Sequence, residues 1–273
     1  MTQGDFRRQW MRWHFGYEKH TRIIFQRLFK EIARSIPLDV LTEDNYKIIV
    51  NNSVNLDEFF KTYNNVYKYV GLIQGERTGK QINYQINKIE NKDFSLDTFI
   101  ALFERNILRY IIDFGGVRIR SVRREYVSFI NEIIARGLND NQTMSEITTG
   151  LDRLFRSRKW YRWQSMRISR TETTTAANYA ATLASESSNT VMEKVWISSQ
   201  DNRTRRPPNS PFDHYDMNGV KVELKETFNV SGERLLYPGD PKGSAGNVIN
   251  CRCSVAQLPK RDNNGKVIRK RPL

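Results

Sequence analysis

The spacing of apolar residues changes once along this chain, near Ser188, and that change decides the fold class. Before it, apolar side chains recur every three or four residues, which is the period of an amphipathic α-helix. After it, Pro, Gly, Asn and Asp separate short alternating segments, as in strands joined by turns. We therefore predict an α+β fold: an α-helical region over 1–187, a small α+β module with short antiparallel strands over 188–258, and a basic, flexible tail over 259–273.

The first region has the pattern of a helical bundle. The segment 6–36 carries one apolar stripe and ends before Pro37, which cannot continue a helix. The segment 96–114 is apolar on almost every side, so we place it at the buried centre of the bundle and end it at Gly115-Gly116. The remaining predicted elements are helices over 57–75, 117–136 (with Gly137 as C-cap), 143–155 (with the capping box Thr143–Glu146) and 163–185, and strands over 194–198, 220–224, 227–230 and 252–256.

The two cysteines of the sequence, Cys251 and Cys253, are separated by one residue. A disulfide between strand residues so placed would be badly strained, so we exclude a disulfide framework and expect a reducing compartment. The N-terminal residues lack the apolar core of a signal peptide. No apolar run approaches the ~18–20 residues of a membrane span. These features predict a protein made in a cytoplasm, without a membrane partner.

Positive charge is the strongest compositional bias. Lys and Arg outnumber Asp and Glu by 44 to 30, a formal net charge of +14, which favours an anionic partner. Between Arg153 and Arg170, basic and aromatic residues alternate without an acid, a pattern suited to nucleic acid or to a helix hairpin that meets an acidic protein surface. The basic tail has two interpretations: it binds DNA without sequence preference, or it is a solvated end of the chain. The candidate nucleic-acid contacts are Arg156, Arg158, Lys159, Arg162, Lys260, Arg261, Arg269, Lys270 and Arg271.

His214 allows two chemically active interpretations. With the two cysteines it offers donors that Zn²⁺ favours, and Asp213 or Asp216 would supply a fourth ligand. Alternatively, His214 would activate water beside one of these aspartates or Asn250, as in a nuclease. The sequence offers no second general base and no evident carboxylate cluster for Mg²⁺.

A structural interpretation of the same residues is the one we favour. Here His214, Asp201 and Arg203 hydrogen-bond loop backbones, and both thiols are buried as small apolar groups on the last strand. We therefore predict no catalytic residue, no metal and no cofactor in the module.

An ordered series of motifs resembles one known family. Ile168-Ser169-Arg170-Thr171-Glu172-Thr173, followed by Asn178, is similar to the I-[AS]-R-T-E-x…N signature of the phage Mu protein F-like, or head-morphogenesis, minor head proteins. The later motifs, from Lys194 to Cys253, follow in the family's order, with a longer, proline-rich loop before His214. The match covers about Met144 to Val255. The residues that carry the resemblance as structural positions are Arg170, Glu172, Asn178, Trp196, Asp201, Arg203, His214, Gly219, Asn250, Cys251, Arg252 and Cys253.

The resemblance implies a structural, non-enzymatic component of a tailed-phage virion. Such proteins associate with the portal vertex and help head assembly and DNA packaging or delivery. The implied partners are the portal protein, the major capsid or scaffold protein, and packaged double-stranded DNA bound without sequence preference. The implied location is inside the phage head, after synthesis in the bacterial cytoplasm. The alternative is a metal-dependent nuclease or ADP-ribosyltransferase-like enzyme centred on His214, although no Gly-rich phosphate loop accompanies Arg170 and Glu172.

Overall fold

Helices make up most of the chain, and short strands follow them. The computed structural model describes residues 2–86 and 93–271. The helices are α1 Gln3–Ser35, α2 Tyr46–Ser53, α3 Leu56–Ile86, α4 Leu96–Tyr110, α5 Gly116–Asn139, α6 Met144–Arg156, α7 Arg158–Glu186 and α8 Ala245–Val248, with a 3-10 turn at Leu38–Val40 and a π-helical turn at Ile111–Gly115. The strands are β1 Met192–Ile197, β2 Lys221–Glu223, β3 Phe228–Val230, β4 Glu233–Leu235 and β5 Ser254–Pro259. The α+β prediction is confirmed.

Two helices begin at capping boxes, in which side chains hydrogen-bond backbone N–H groups at the start of the helix. At α1, the amide of Asp5 donates to Thr2 Oγ1 at 3.2 Å and the Thr2 amide donates back to the Asp5 carboxylate. At α6, Thr143 and Glu146 make the same exchange, which confirms the predicted box. Within the described residues, no helix combines the length and apolar character needed to cross a bilayer.

The helix α7 lies at the centre of the bundle, packed against both α3 and α1. Its buried side chains are mostly small, which allows close approach of its neighbours; they include Ala176, Ala177, Ala180 and Ala184. The prediction that 96–114 forms the buried centre is wrong, because Leu108 and Ile112 are 56% and 61% exposed. A helix rich in large apolar residues lies on the outside here, since the central position requires small ones.

Glycines in α3 admit aromatic rings instead of ending the helix. Gly71, Gly75 and Gly79 lie one turn apart, and rings from α4 and the segment just before it fill the space that their side chains would occupy. A Cβ at Gly75 would lie 1.9 Å from Cζ of Phe99. The helix therefore continues to Ile86, well beyond its predicted end.

The chain does not break at Gly115-Gly116, contrary to prediction. Gly115 and Gly116 have φ values of −74° and −58°, in the right-handed helical range, and the π-helical turn carries α4 directly into α5. Gly137 also lies inside α5 and is not its C-cap. A Cβ there would meet Ile147 of α6 at 2.5 Å, so this glycine allows the α5–α6 contact.

The strands of the module form one sheet and one hairpin. β1 is the central strand of an antiparallel sheet in the order β2-β1-β5, in which Trp196 pairs with Val255. β3 and β4 form a hairpin through Ser231 and Gly232, whose φ values of 51° and 90° reverse the chain. Each predicted strand has an observed counterpart, whereas the short β4 was not predicted.

Residues 260–270 lie against the module, where the sequence predicted a flexible tail. The amide of Lys260 donates to the carbonyl of Val191 at 2.8 Å, and the amide of Lys270 donates to that of Asn189 at 2.9 Å. A turn at 262–265 folds the segment back on itself, so both of its arms reach the residues that precede β1.

Candidate functional site

Threonines of α7 bind the backbone of two loops in the module. Thr174 Oγ1 donates to the carbonyl of Cys251 at 2.6 Å, and Thr175 Oγ1 donates to that of Gly239 at 2.7 Å. Thr171 Oγ1 accepts from the amide of Asn250 at 3.0 Å. These short side chains are presented by a rigid helix, so the loops at 238–240 and 250–253 are fixed against it.

Asn178 joins the same two loops from the next turn of α7. Its Nδ2 donates to the carbonyls of Pro238 at 2.9 Å and Cys253 at 3.2 Å. Its Oδ1 accepts from the Val255 amide at 3.1 Å and from Ser254 Oγ at 3.2 Å. Every donor and acceptor position of this buried amide is therefore used inside the protein.

Arg170 and Glu172 connect α7 to the other helices. A guanidinium N–H of Arg170 donates to Glu18 Oε1 at 2.9 Å, and another reaches Asn250 Oδ1 at 3.4 Å. The buried Glu172 carboxylate accepts from Arg118 at 3.0 Å and from the hydroxyl of Tyr67 at 2.8 Å. Burial, together with this carboxylate, raises the pKa of Tyr67 well above its ordinary value, so the hydroxyl stays a donor.

The Asp201 carboxylate organises the loop after β1. It accepts from Arg252 at 2.8 Å, from the amide of Arg203 at 3.0 Å and from Thr204 Oγ1 at 3.2 Å. Arg252 is buried and its carbonyl accepts from Trp10 Nε1 at 2.7 Å, whereas the Arg203 side chain is exposed.

Trp196 and Gly219 shape the wall beside His214. The Trp196 ring is fully buried and meets the rings of His214 and Phe228 edge-on, with centroids 5.5 and 5.3 Å away. Gly219 has φ +87°, a conformation that favours glycine, and its amide donates to the Trp196 carbonyl at 2.8 Å.

His214 lies between an amide and two thiols. Its Nε2 is 2.5 Å from Asn247 Oδ1, and its Nδ1 is 3.5 Å from Cys251 Sγ and 3.8 Å from Cys253 Sγ. The three side chains are only 1–2% exposed. Asp213 is not part of this group, since its carboxylate caps the amide of Asp216 at 2.9 Å. His214 and the two thiols thus form a closed cluster, and Asn250 lies apart from it, against α7.

The candidate nucleic-acid contacts divide into separate regions. Two cations of the tail form ion pairs, Lys260 with Glu223 and Arg269 with Asp93. Two others donate to backbone carbonyls, Arg261 to that of Gln85 and Lys270 to that of Glu186. Arg271 is exposed. Arg156 pairs with Asp152 at 2.9 Å, and Arg162 is exposed. The side chains of Arg158 and Lys159 lie outside the described residues.

A basic groove brings Arg162 together with cations of α1. We use this name for the surface whose lining includes five cations and two aspartates, namely Arg22, Lys30, Arg34, Arg156, Arg162, Asp39 and Asp152. The α1 cations were not among the predicted contacts. Their spacing carries the signal, because positions 22, 30 and 34 are multiples of four apart and so lie on one face of a helix.

The aromatic residues around Arg162 have different environments. The Trp160 ring packs with those of Tyr126, Phe129 and Phe155 in the core. Trp163 is 57% exposed, and the Arg167 guanidinium lies 5.3 Å from its ring.

One of three comparisons with known proteins finds a match, and it is to a family model. Residues 129–256 match the family model described as phage Mu protein F like protein, from α5 to β5. This match confirms the resemblance read from the motifs. No curated protein and no solved structure matches the chain significantly.

Proposed function

We propose that this chain is a structural minor head protein of a tailed bacteriophage, because residues 129–256 match the family model described as phage Mu protein F like protein. In this proposal it lies inside the phage head, contacts the portal or the inner capsid through its helices, and assists head assembly and DNA packaging or delivery. It binds packaged double-stranded DNA through its basic surface, without sequence preference.

The main observation in favour of a structural function is that the motif side chains bind other parts of the same protein. The polar atoms of Asn178, Glu172 and Asp201 form hydrogen bonds and ion pairs within the protein. His214 is buried in the closed cluster, away from solvent that a nuclease or transferase would need at its base. This arrangement supports a module that holds helices and loops together rather than one that turns over a substrate.

The basic groove supports the proposed DNA contact. Five cations and two aspartates line this concave surface, and the protein as a whole carries a net charge of +14. Arg156 is paired with Asp152, which leaves Arg22, Lys30, Arg34 and Arg162 as the cations to test. Cations that neutralise phosphates release counterions, so their contribution appears as a dependence of affinity on salt.

A salt titration with matched variants tests this contact. Replacing Arg22, Lys30, Arg34 and Arg162 together by Gln should lower the slope of log K against log salt by up to about 3.6 for random-sequence duplex DNA. The control replaces the same number of exposed cations on other helices, namely Arg105, Arg109, Arg120 and Arg124, and has the same net charge. Equal slopes for the two variants would refute a contact at the groove and leave only a diffuse charge effect.

The turn between α4 and α5 supports a protein contact, which we assign to the portal. Leu108, Ile112 and Val117 follow one another at successive turns and are 56–64% exposed. Neighbouring exposed apolar side chains favour association with another protein. We choose the portal protein as the partner because the resemblance to phage head-morphogenesis proteins implies it.

Co-expression with the portal protein of the same phage tests this assignment. The double variant Leu108→Ser, Ile112→Ser should lose co-purification, whereas Val40→Ser, Ile48→Ser, at positions equally exposed on other segments, should retain it. Deletion of α1 is unsuitable, because Trp10 and Phe25 belong to the core. Retention by both variants would exclude this surface, and DNA cleavage lost on His214→Asn would overturn the structural function itself.

A further inference from the structure

His214, Cys251 and Cys253 form a donor set that the proposed head function does not explain. An imidazole nitrogen and two sulfurs lie within 4.8 Å of one another, and all three side chains are buried. We propose that this cluster binds a Zn²⁺ ion that fastens the loop carrying His214 to the start of β5. Thiolate and imidazole are the ligands that Zn²⁺ prefers in proteins.

The distances fit ligands that share one tetrahedral ion. Zn–S bonds of about 2.3 Å and Zn–N bonds of about 2.0–2.1 Å at tetrahedral angles separate a nitrogen from a sulfur by about 3.5 Å. His214 Nδ1 lies 3.5 Å from one sulfur and 3.8 Å from the other. A ring nitrogen accepts a hydrogen bond from one thiol, but His214 Nδ1 lies within 3.8 Å of both sulfurs.

The hydrogen bond between His214 and Asn247 leaves Nδ1, the ring nitrogen that faces the sulfurs, free to bind the ion. Asn247 Oδ1 accepts from Nε2, because the Asn247 amide nitrogen donates to Glu233 Oε2 at 3.1 Å. The proton therefore lies on Nε2, and the Nδ1 lone pair faces the two sulfurs. A ligating histidine typically donates its other ring N–H to such a partner, which fixes the ring and its tautomer.

The two cysteines are held in place by contacts that do not involve sulfur. The carbonyl of Cys251 accepts from Thr174 and that of Cys253 accepts from Asn178, so α7 fixes both residues. His214, in contrast, lies in the segment 198–220, which contains no strand and no helix. An ion here would cross-link an irregular loop to the rigid part of the module.

Three protein ligands leave one position of the ion free. Among the residues that the structure describes, no carboxylate, further imidazole or further thiol belongs to the cluster. Water or another small ligand completes the coordination. Three-ligand zinc sites are often catalytic, but the burial of these side chains leaves no approach for a substrate, so the ion's role is structural.

Metal analysis of the full chain without an affinity tag tests the proposal. We expect about one Zn²⁺ per chain in protein purified without chelators, released when a mercurial reagent modifies the thiols. Zinc should be lost from Cys253→Ser and from His214→Gln. Zinc should be retained by His20→Gln, which alters a histidine stacked on Tyr69 at 4.0 Å.

A second measurement covers variants that fail to fold. Wild-type protein refolded with Co²⁺ should show thiolate-to-metal charge-transfer bands and the intense d–d bands of a tetrahedral site. Asn247→Ala, which keeps all three ligands, should weaken zinc binding about 10–100-fold. Folded wild-type protein that takes up neither Zn²⁺ nor Co²⁺ would overturn the proposal and leave a thiol–imidazole hydrogen-bond cluster.

Discussion

Acidification should destabilise this protein through His14. The ring is fully buried, and its Nε2 lies 2.9 Å from Thr174 Oγ1, which itself donates to the Cys251 carbonyl. Burial, followed by the charges of Arg252 and Arg170, lowers the pKa of His14 from 6.5 to about 3. Glu18 lies 3.8 Å from Nδ1, but its charge is already paired with Arg170.

The sign and size follow from proton linkage. Below pH 6.5 the unfolded chain binds a proton at this position and the folded chain does not, so stability falls as the pH falls from 6.5 towards 3. Each pH unit in that window removes about 1.4 kcal/mol. Between pH 7 and pH 5 the loss attributable to His14 is therefore about 2 kcal/mol.

Urea unfolding at pH 7, 6 and 5 measures this loss. His14→Gln keeps a donor towards Thr174 but cannot titrate, so its free energy of unfolding should fall about 2 kcal/mol less over the range than that of the wild type. His20→Gln, on the same helix, serves as the control and should follow the wild type. Parallel pH profiles for the wild type and His14→Gln would show that His14 is not held neutral in the folded protein.

Two further predictions concern packing and hydrogen bonding. Asn178→Ala leaves the carbonyls of Pro238 and Cys253 without their donor, and at about 1–3 kcal/mol per unsatisfied group we expect a loss of about 2–6 kcal/mol in urea unfolding; a loss below about 1 kcal/mol would contradict the assigned role. Gly75→Ala places a methyl group against Phe99 and should cost about 1–3 kcal/mol, whereas Gly16→Ala, with open space around it, should be neutral or stabilising; equal thermal shifts for the two would refute this packing.

The sequence predicted the elements better than their arrangement. The apolar stripe of α1, the capping box at Thr143 and the change of pattern near Ser188 are local signals, and each has its counterpart in the structure. Glycines are ambiguous by contrast, because their meaning depends on what packs against them. Gly137 has the features of a C-cap in sequence, yet it lies inside a helix because Ile147 approaches it.

The candidate site was predictable as a set of residues but not as a set of contacts. The order of the motifs identified Asn178 and Cys253, yet their hydrogen bond joins positions 75 residues apart in sequence. Asn247, the partner of His214, belongs to none of the motifs that carry the resemblance. The periodicity of large apolar residues did not predict the central position of α7, because the buried residues of its central stretch are mostly Ala and Thr.

The position of α7 also determines which pieces of this chain can exist by themselves. One and the same helix fills the middle of the bundle and supplies the donors for the loops at 238–240 and 250–253. A fragment that starts at Ser188 would lose those donors, and a fragment that stops there would expose the polar edge of α7. Both parts should therefore melt in a single transition, and any shortened version intended for assembly studies has to retain Arg158–Glu186 intact.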